Sequence, residues 1–266
     1  MKKLSILFVL ILVNINLFAN ESFYVKGIKF NISFEKIPYP KSVSKLTLKS
    51  LSKSDSKYEI SYLDDDDIND NKENVIQKLT QELKKYPHNV LQKYIPKTFI
   101  IVHDIYNKKS HQFIDGLWSY GDNIIYSVTV FEGMNEYWLR VIHHEIFHSI
   151  EKANGPEFYE TTIKLNNVLG RDYNNKSYLE EDNCLHFQEP FITAYHPNAT
   201  EVGAEIFSLL MHNNFRHNSA IIDWYVSDKS KLNPKLKESI KIIIDFTSLI
   251  SNGEMDTEYY FNIINR

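Results

Sequence analysis

Apolar positions alternate early in the chain and fall at helical spacing later. Between Ser22 and Phe34 they occur at Phe23, Val25, Ile28, Phe30, Ile32 and Phe34, a pattern that predicts a strand or a hairpin. Tyr58 to Leu63 predicts another short strand, and so do Thr98 to His103 and Asn123 to Phe131, with Gly116 and Gly121 punctuating the loop between the last two. The intervening Lys41 to Lys57 is rich in Ser and Lys and reads as a solvated connection or an edge strand. Val75, Ile76, Leu79, Leu83 and Tyr86 then recur at helical spacing, behind a capping box expected from Asp70 and Glu73. A second helix is expected from about Asn135 to Asn154, with Trp138, Leu139, Ile142, Phe147 and Ile150 as its apolar positions. Gly155 and Pro156 end it and open the next, which Gly170 stops. After a polar loop, Arg171 to Glu189, come a helix from about Thr200 to Asn213 and a last long one opened by Asn233 and Pro234. Strands concentrated early and helices late describe an α+β chain with a mainly helical C-terminal half.

The first segment has a different character. Lys2 and Lys3 precede an apolar run from Leu4 to Val13 and a weaker tail ending Leu17-Phe18-Ala19-Asn20, the order of a secretory signal peptide. Asn14 and Asn16 interrupt the run, which falls short of the ~18 apolar residues that a spanning helix needs. The reading is therefore a signal peptide over 1–19, cleaved after Ala19 or Asn20. It leaves no stable membrane anchor, and the protein is exported, periplasmic or secreted. An N-terminal accessory region, 20–94, and a catalytic domain, 95–266, would follow.

Composition adds limits rather than a function. The 266 residues are 43% hydrophobic, enough for one substantial core. Thirty basic residues against 34 acidic ones give a net charge of -4, with none of the positive excess that nucleic-acid binding calls for. Cys184 is the single cysteine, so no internal disulfide is available, and it reads as inert packing. The acidic run Asp64 to Asp67 lacks the glycine and distal Glu of a calcium loop.

The informative chemistry lies in the second helix. His144-Glu145-Ile146-Phe147-His148 is an HExxH motif: two histidines four apart share one helix face and can reach one ion, with a carboxylate beside them. His143 has Phe147 at i+4 and cannot pair on that face, so it reads as a packed or supporting histidine. A catalytic zinc also needs a third protein ligand and one open position. Glu201 and Glu205 lie four apart at the start of an apolar helix. One can bind the ion, while the other accepts the free N–H of a ligand histidine. The competing reading makes both of them first-turn acids that complement the helix dipole.

Together, His143-His144-Glu145-Ile146-Phe147-His148, the segment Thr193-Ala194-Tyr195 and the Glu201–Glu205 helix resemble the gluzincin metallopeptidases of the anthrax lethal factor and Pro-Pro endopeptidase type. They also resemble zinc-binding metallopeptidases of bacterial envelopes. The resemblance covers roughly residues 124 to 246. It implies a zincin-like domain with a small mixed sheet and one zinc ion held by His144, His148 and Glu201. It further implies Glu145 as general base, Tyr195 as the phenol facing the oxyanion, and Glu205 as partner of a ligand histidine. The stretch from Tyr195 to Glu201 is one residue shorter than the family pattern, which leaves His196 or Tyr178 as alternatives to Tyr195. The expected activity is zinc-dependent hydrolysis of a protein or peptide substrate, with the strand Asn123 to Phe131 pairing with the substrate along its edge. The alternative is an envelope zinc-binding or interaction module of weak or no activity.

Overall fold

A computed structural model describes residues 18–35, 58–108, 111–119, 123–132, 139–169, 199–211, 222, 225–226 and 234–264. They form an α+β structure. Two compact units divide the chain, residues 1–77 with 97–132 and residues 78–96 with 133–266. The units thus interleave instead of following one another at residue 94. The stretch 78–96 belongs with the C-terminal residues, and 97–132 with the N-terminal ones.

The first unit is built on strands. β1 (Phe18–Val25) and β2 (Ile28–Glu35) form an antiparallel hairpin in which Phe23 faces Phe30 and Val25 faces Ile28. Its two-residue turn, Lys26-Gly27, holds both residues at positive φ, 48° and 80°. That combination matches the twist of the flanking strands, and the glycine adopts it without a Cβ penalty. Cleavage after Ala19 or Asn20 would fall within β1. β2 runs parallel to β4 (Thr98–Val102), and β4 runs parallel to β8 (Asn123–Ser127). β7 (Gly116–Ser119) closes the order β1-β2-β4-β8-β7, a mixed sheet of five strands. A second sheet has the order β3-β5-β6, with β3 at Tyr58–Ser61, β5 at Asp104–Asn107 and β6 at Gln112–Ile114.

The central strand β4 reads Thr-Phe-Ile-Ile-Val because both of its faces are covered. On one side Phe99 meets the rings of Phe30 and Tyr126 at 6.0 and 6.3 Å. On the other, Ile100, Val102, Ile105 and Ile125 form a buried cluster under Tyr58, Ile60, Ile114 and Leu117. This arrangement corrects two expectations. The loop expected between the third and fourth strands contains β5, β6 and β7, whose short polar-apolar runs were too brief to signal themselves. The stretch Asn123 to Phe131 is not one strand with a free edge. β8 is paired on both sides, with β4 and β7, and the chain turns helical over Thr129–Glu132. Substrate pairing along β8 is therefore ruled out by hydrogen bonds already made.

Helix α1 (Asp65–Lys84) starts earlier than Asp70. The capping box is made by the acidic run itself. Asp67 N–H donates to Asp64 Oδ1 at 2.8 Å, and Asp64 N–H donates back to Asp67 Oδ2 at 3.2 Å. The side-chain amide of Asn74 donates to the Phe131 carbonyl at 2.7 Å, tying α1 to α3 (Thr129–Glu132).

Among the described residues, six helices belong to the second unit, with the end of α1: α2 (His88–Lys93), α4 (Arg140–Ala153), α5 (Gly155–Leu169), α6 (Ala199–Met211), α7 (Pro234–Ile250) and α8 (Thr257–Ile264). Their core is aromatic. Phe147 of α4 lies 5.0 Å from Phe207 of α6, 5.8 Å from Phe158 of α5 and 6.0 Å from Phe246 of α7, between ring centres. Gly203 lets α6 approach α4 closely, since a Cβ there would stand 3.1 Å from Phe147 Cε1. Asn154 ends α4 by returning its side-chain amide to the Ile150 carbonyl at 2.7 Å. Helix α8 was not foreseen, although Asp256 caps it by accepting the Tyr259 N–H at 2.9 Å. Among the described residues, no helix is long and apolar enough to cross a membrane.

Candidate metal centre

The centre lies wholly within the second unit, between α4 and α6. Helical geometry puts His144 and His148 one turn apart on the same face of α4. Their rings stand edge to face with centroids 5.0 Å apart. The two Nε2 atoms approach to 3.3 Å. Glu201, in the first turn of α6, turns Oε2 towards both, 3.2 Å from His144 Nε2 and 3.6 Å from His148 Nε2.

These three atoms form a group that could hold a metal ion. Three donors placed about 2.1 Å from one ion at tetrahedral angles stand about 3.4 Å apart, a value within the range of the observed sides, 3.2, 3.3 and 3.6 Å. The third ligand expected from the sequence, Glu201, is thus brought to the histidine pair.

The outer nitrogen of each histidine is engaged as well. His144 Nδ1 lies 3.3 Å from Glu205 Oε2, as expected for Glu205, and Arg140 Nη1 donates to the other oxygen of that carboxylate. Glu205 is almost fully buried, so the guanidinium supplies the charge that keeps a carboxylate tolerable there. His148 Nδ1 meets Glu151 Oε2 at 2.7 Å. Arg140 and Glu151 were not foreseen. The available signal was their spacing, i−4 from His144 and i+3 from His148, which places both near the ligand face of α4.

Without an ion, the carboxylates hold protons on the histidines. Burial opposes a charge on His144, but its hydrogen bonds to Glu201 and Glu205 outweigh that and lift it to about 9. His148 is raised well above its ordinary value in the same way, against burial, by Glu151 and Glu201. Burial would raise Glu201, yet its contacts with both imidazoles hold it far below the usual carboxylate range. The pattern is that of a negative seat in which a cation could replace protons.

Glu145 is buried on α4 beside the ligands, and its charge is felt by both His144 and His148. His143 points elsewhere. It is fully buried, with Nε2 at 2.6 Å from Glu82 Oε2 and Nδ1 at 2.7 Å from the Tyr86 hydroxyl. It is the packed histidine that its spacing implied. Tyr195, its alternatives His196 and Tyr178, and Cys184 lie outside the described residues.

No protein-family model, curated protein or solved structure matches the chain. The functional reading therefore rests on the site.

Proposed function

We propose that the chain is a zinc-dependent endopeptidase of gluzincin type, working in an exported compartment, periplasmic or secreted. The observation that carries this reading is the triangle of His144 Nε2, His148 Nε2 and Glu201 Oε2, with the Glu145 carboxylate beside it. Two imidazoles and one carboxylate form a donor set of catalytic zinc sites. A bound zinc would supply Lewis acidity, polarising a peptide carbonyl and making a water easier to deprotonate.

The protein's own groups do the rest. Glu145 takes a proton from the attacking water and returns it to the leaving amine, so one carboxylate serves as base and then as acid. His144, His148 and Glu201 fix the position of that chemistry. The Tyr195 phenol is assigned the donor role towards the developing oxyanion, an interaction typically worth ~3–4 kcal/mol. The basic, apolar and small-residue order of 1–19 supports export.

The test separates metal binding from turnover. Glu145→Gln should keep one zinc per chain and lose peptide hydrolysis by ~10²-fold or more, the range of a general base. Metal content by elemental analysis and cleavage of a peptide library read the two properties. If the library is cut equally well by the variant, the base is misassigned; if the wild-type chain binds zinc and cuts nothing, the chain is a binding module.

A further inference from the structure

The two ligand histidines are oriented by different means. His144 is held from across the helix interface by Glu205, and that carboxylate has Arg140 as a counter-charge. His148 is held from its own helix by Glu151, one turn onward. The surroundings of Glu151 make it more than a surface helix pair. The Glu151 side chain is 10% exposed and that of His148 14% exposed. Among the described residues, His148 is the one hydrogen-bond partner of the Glu151 side chain, and its Oε1 is buried with none. Burying a carboxylate with so little compensation works against folding. Stability alone does not explain an acid here, where glutamine or an apolar residue would be easier to bury.

We propose that Glu151 is a positioning residue for the metal centre, fixing the tautomer and ring orientation of His148. An imidazole that gives its Nδ1–H to Glu151 Oε2 keeps its lone pair on Nε2, the atom that faces His144 Nε2 and Glu201 Oε2. The carboxylate also makes that imidazole a stronger donor to a cation. The inference rests on the metal-binding part of the proposed function and not on peptidase activity.

The experiment uses the full chain in three forms: wild type, Glu151→Gln and Glu151→Ala. Zinc affinity is measured by competition with a chelator, and the His148 tautomer is read from imidazole nitrogen shifts in the metal-free protein, at a pH high enough for the ring to be neutral. Glutamine can still accept the Nδ1–H through its amide oxygen, whereas alanine cannot. Affinity should fall about 10-fold for Glu151→Gln and towards 100-fold for Glu151→Ala, the usual range for such partners. His148 should keep its Nδ1–H form in the first variant and lose its preference in the second. A stabilising role alone would lower the melting temperature of the metal-free chain without moving the tautomer. Unchanged affinity and tautomer in Glu151→Ala, with wild type binding zinc normally, overturns the positioning role and leaves the peptidase reading intact. A wild-type chain that binds no zinc overturns both.

Discussion

Helix α4 carries two histidine clusters whose chemistry is alike and whose surroundings differ. His143 meets Glu82 and Tyr86, and Lys85 pairs with the same Glu82 carboxylate. Every heteroatom of that imidazole is used, and the ring is fully buried. His144 and His148 also meet carboxylates, but each keeps Nε2 turned towards a second Nε2 and one shared oxygen. The first cluster is closed by hydrogen bonds between its own members. The second leaves three electron-pair donors converging on one point. A histidine beside a carboxylate is therefore weak evidence for a metal; convergence of two imidazole nitrogens and one carboxylate oxygen is the discriminating feature.

The sharpest way to break this comparison is to remove histidines one at a time. His144→Ala and His148→Ala should each lower zinc affinity by ~10³-fold or more. That is about 4 kcal/mol, roughly a third of the ~10–16 kcal/mol of a structural zinc site. His143→Ala should keep one zinc per chain and lose stability instead. Chelator competition and denaturant unfolding read the two losses separately. Zinc lost from a folded His143→Ala chain would dissolve the distinction.

Acid should act on the closed cluster through Glu82. Burial would raise this carboxylate, but the hydrogen bond and charge of His143, and the charge of Lys85, lower it from 4.5 to about 2. A carboxyl group depressed in the folded state binds a proton more readily when unfolded. Its stabilisation is therefore present above pH 4.5 and lost as pH falls through about 2. Unfolding free energy followed over that window should show the loss in the wild type and a smaller one in Glu82→Gln. Equal slopes would remove Glu82 from the account.

The asymmetry between the clusters also explains what was legible in the chain. HExxH is local: its spacing alone puts His144 and His148 on one face, and Glu201 and Glu205 repeat that spacing on a second helix. The alternation from Phe23 to Phe34 similarly announced a strand or a hairpin, and the Lys26-Gly27 turn decides between them. Partners set by tertiary approach were not legible. Glu82 stands 61 residues before His143, and nothing in either neighbourhood names the other. Arg140 and Glu151 had spacing in their favour, but exposed helices carry many such charges. Strands β5 to β7, each of three or four residues, are fixed by the pairing they receive rather than by their own pattern. The Asp64–Asp67 box was missed because one capping signature, Asp70 with Glu73, hid another just upstream.

The smallest expected effect tests what holds the open cluster together. The His143 network is fixed by direct hydrogen bonds, whereas Glu201 reaches the histidines only because α6 lies close to α4. Gly203 permits that approach. A Cβ there would meet Phe147 Cε1 at 3.1 Å and Ile243 Cδ1 at 3.3 Å. Phe147 is hemmed in by Phe158, Phe207 and Phe246 and has little room to yield. Gly203→Ala should gain about 1 kcal/mol in helix propensity and lose ~1–3 kcal/mol to overpacking, for a net destabilisation of about 1 kcal/mol. A shift of α6 by a few tenths of an ångström should also draw Glu201 away from the pair and weaken zinc binding several-fold. The His143–Glu82 contact joins α4 to α1, and its links to α6, Lys85 Nζ to the Met211 carbonyl at 3.2 Å and Tyr86 against Phe207, lie at the far end of that helix from Glu201, so its acid profile should change less than zinc affinity does. Adding Phe147→Leu would make room for the new methyl, so a double-mutant cycle should show part of the zinc affinity returning. If Gly203→Ala binds zinc as tightly as the wild type, helix separation does not set the metal site.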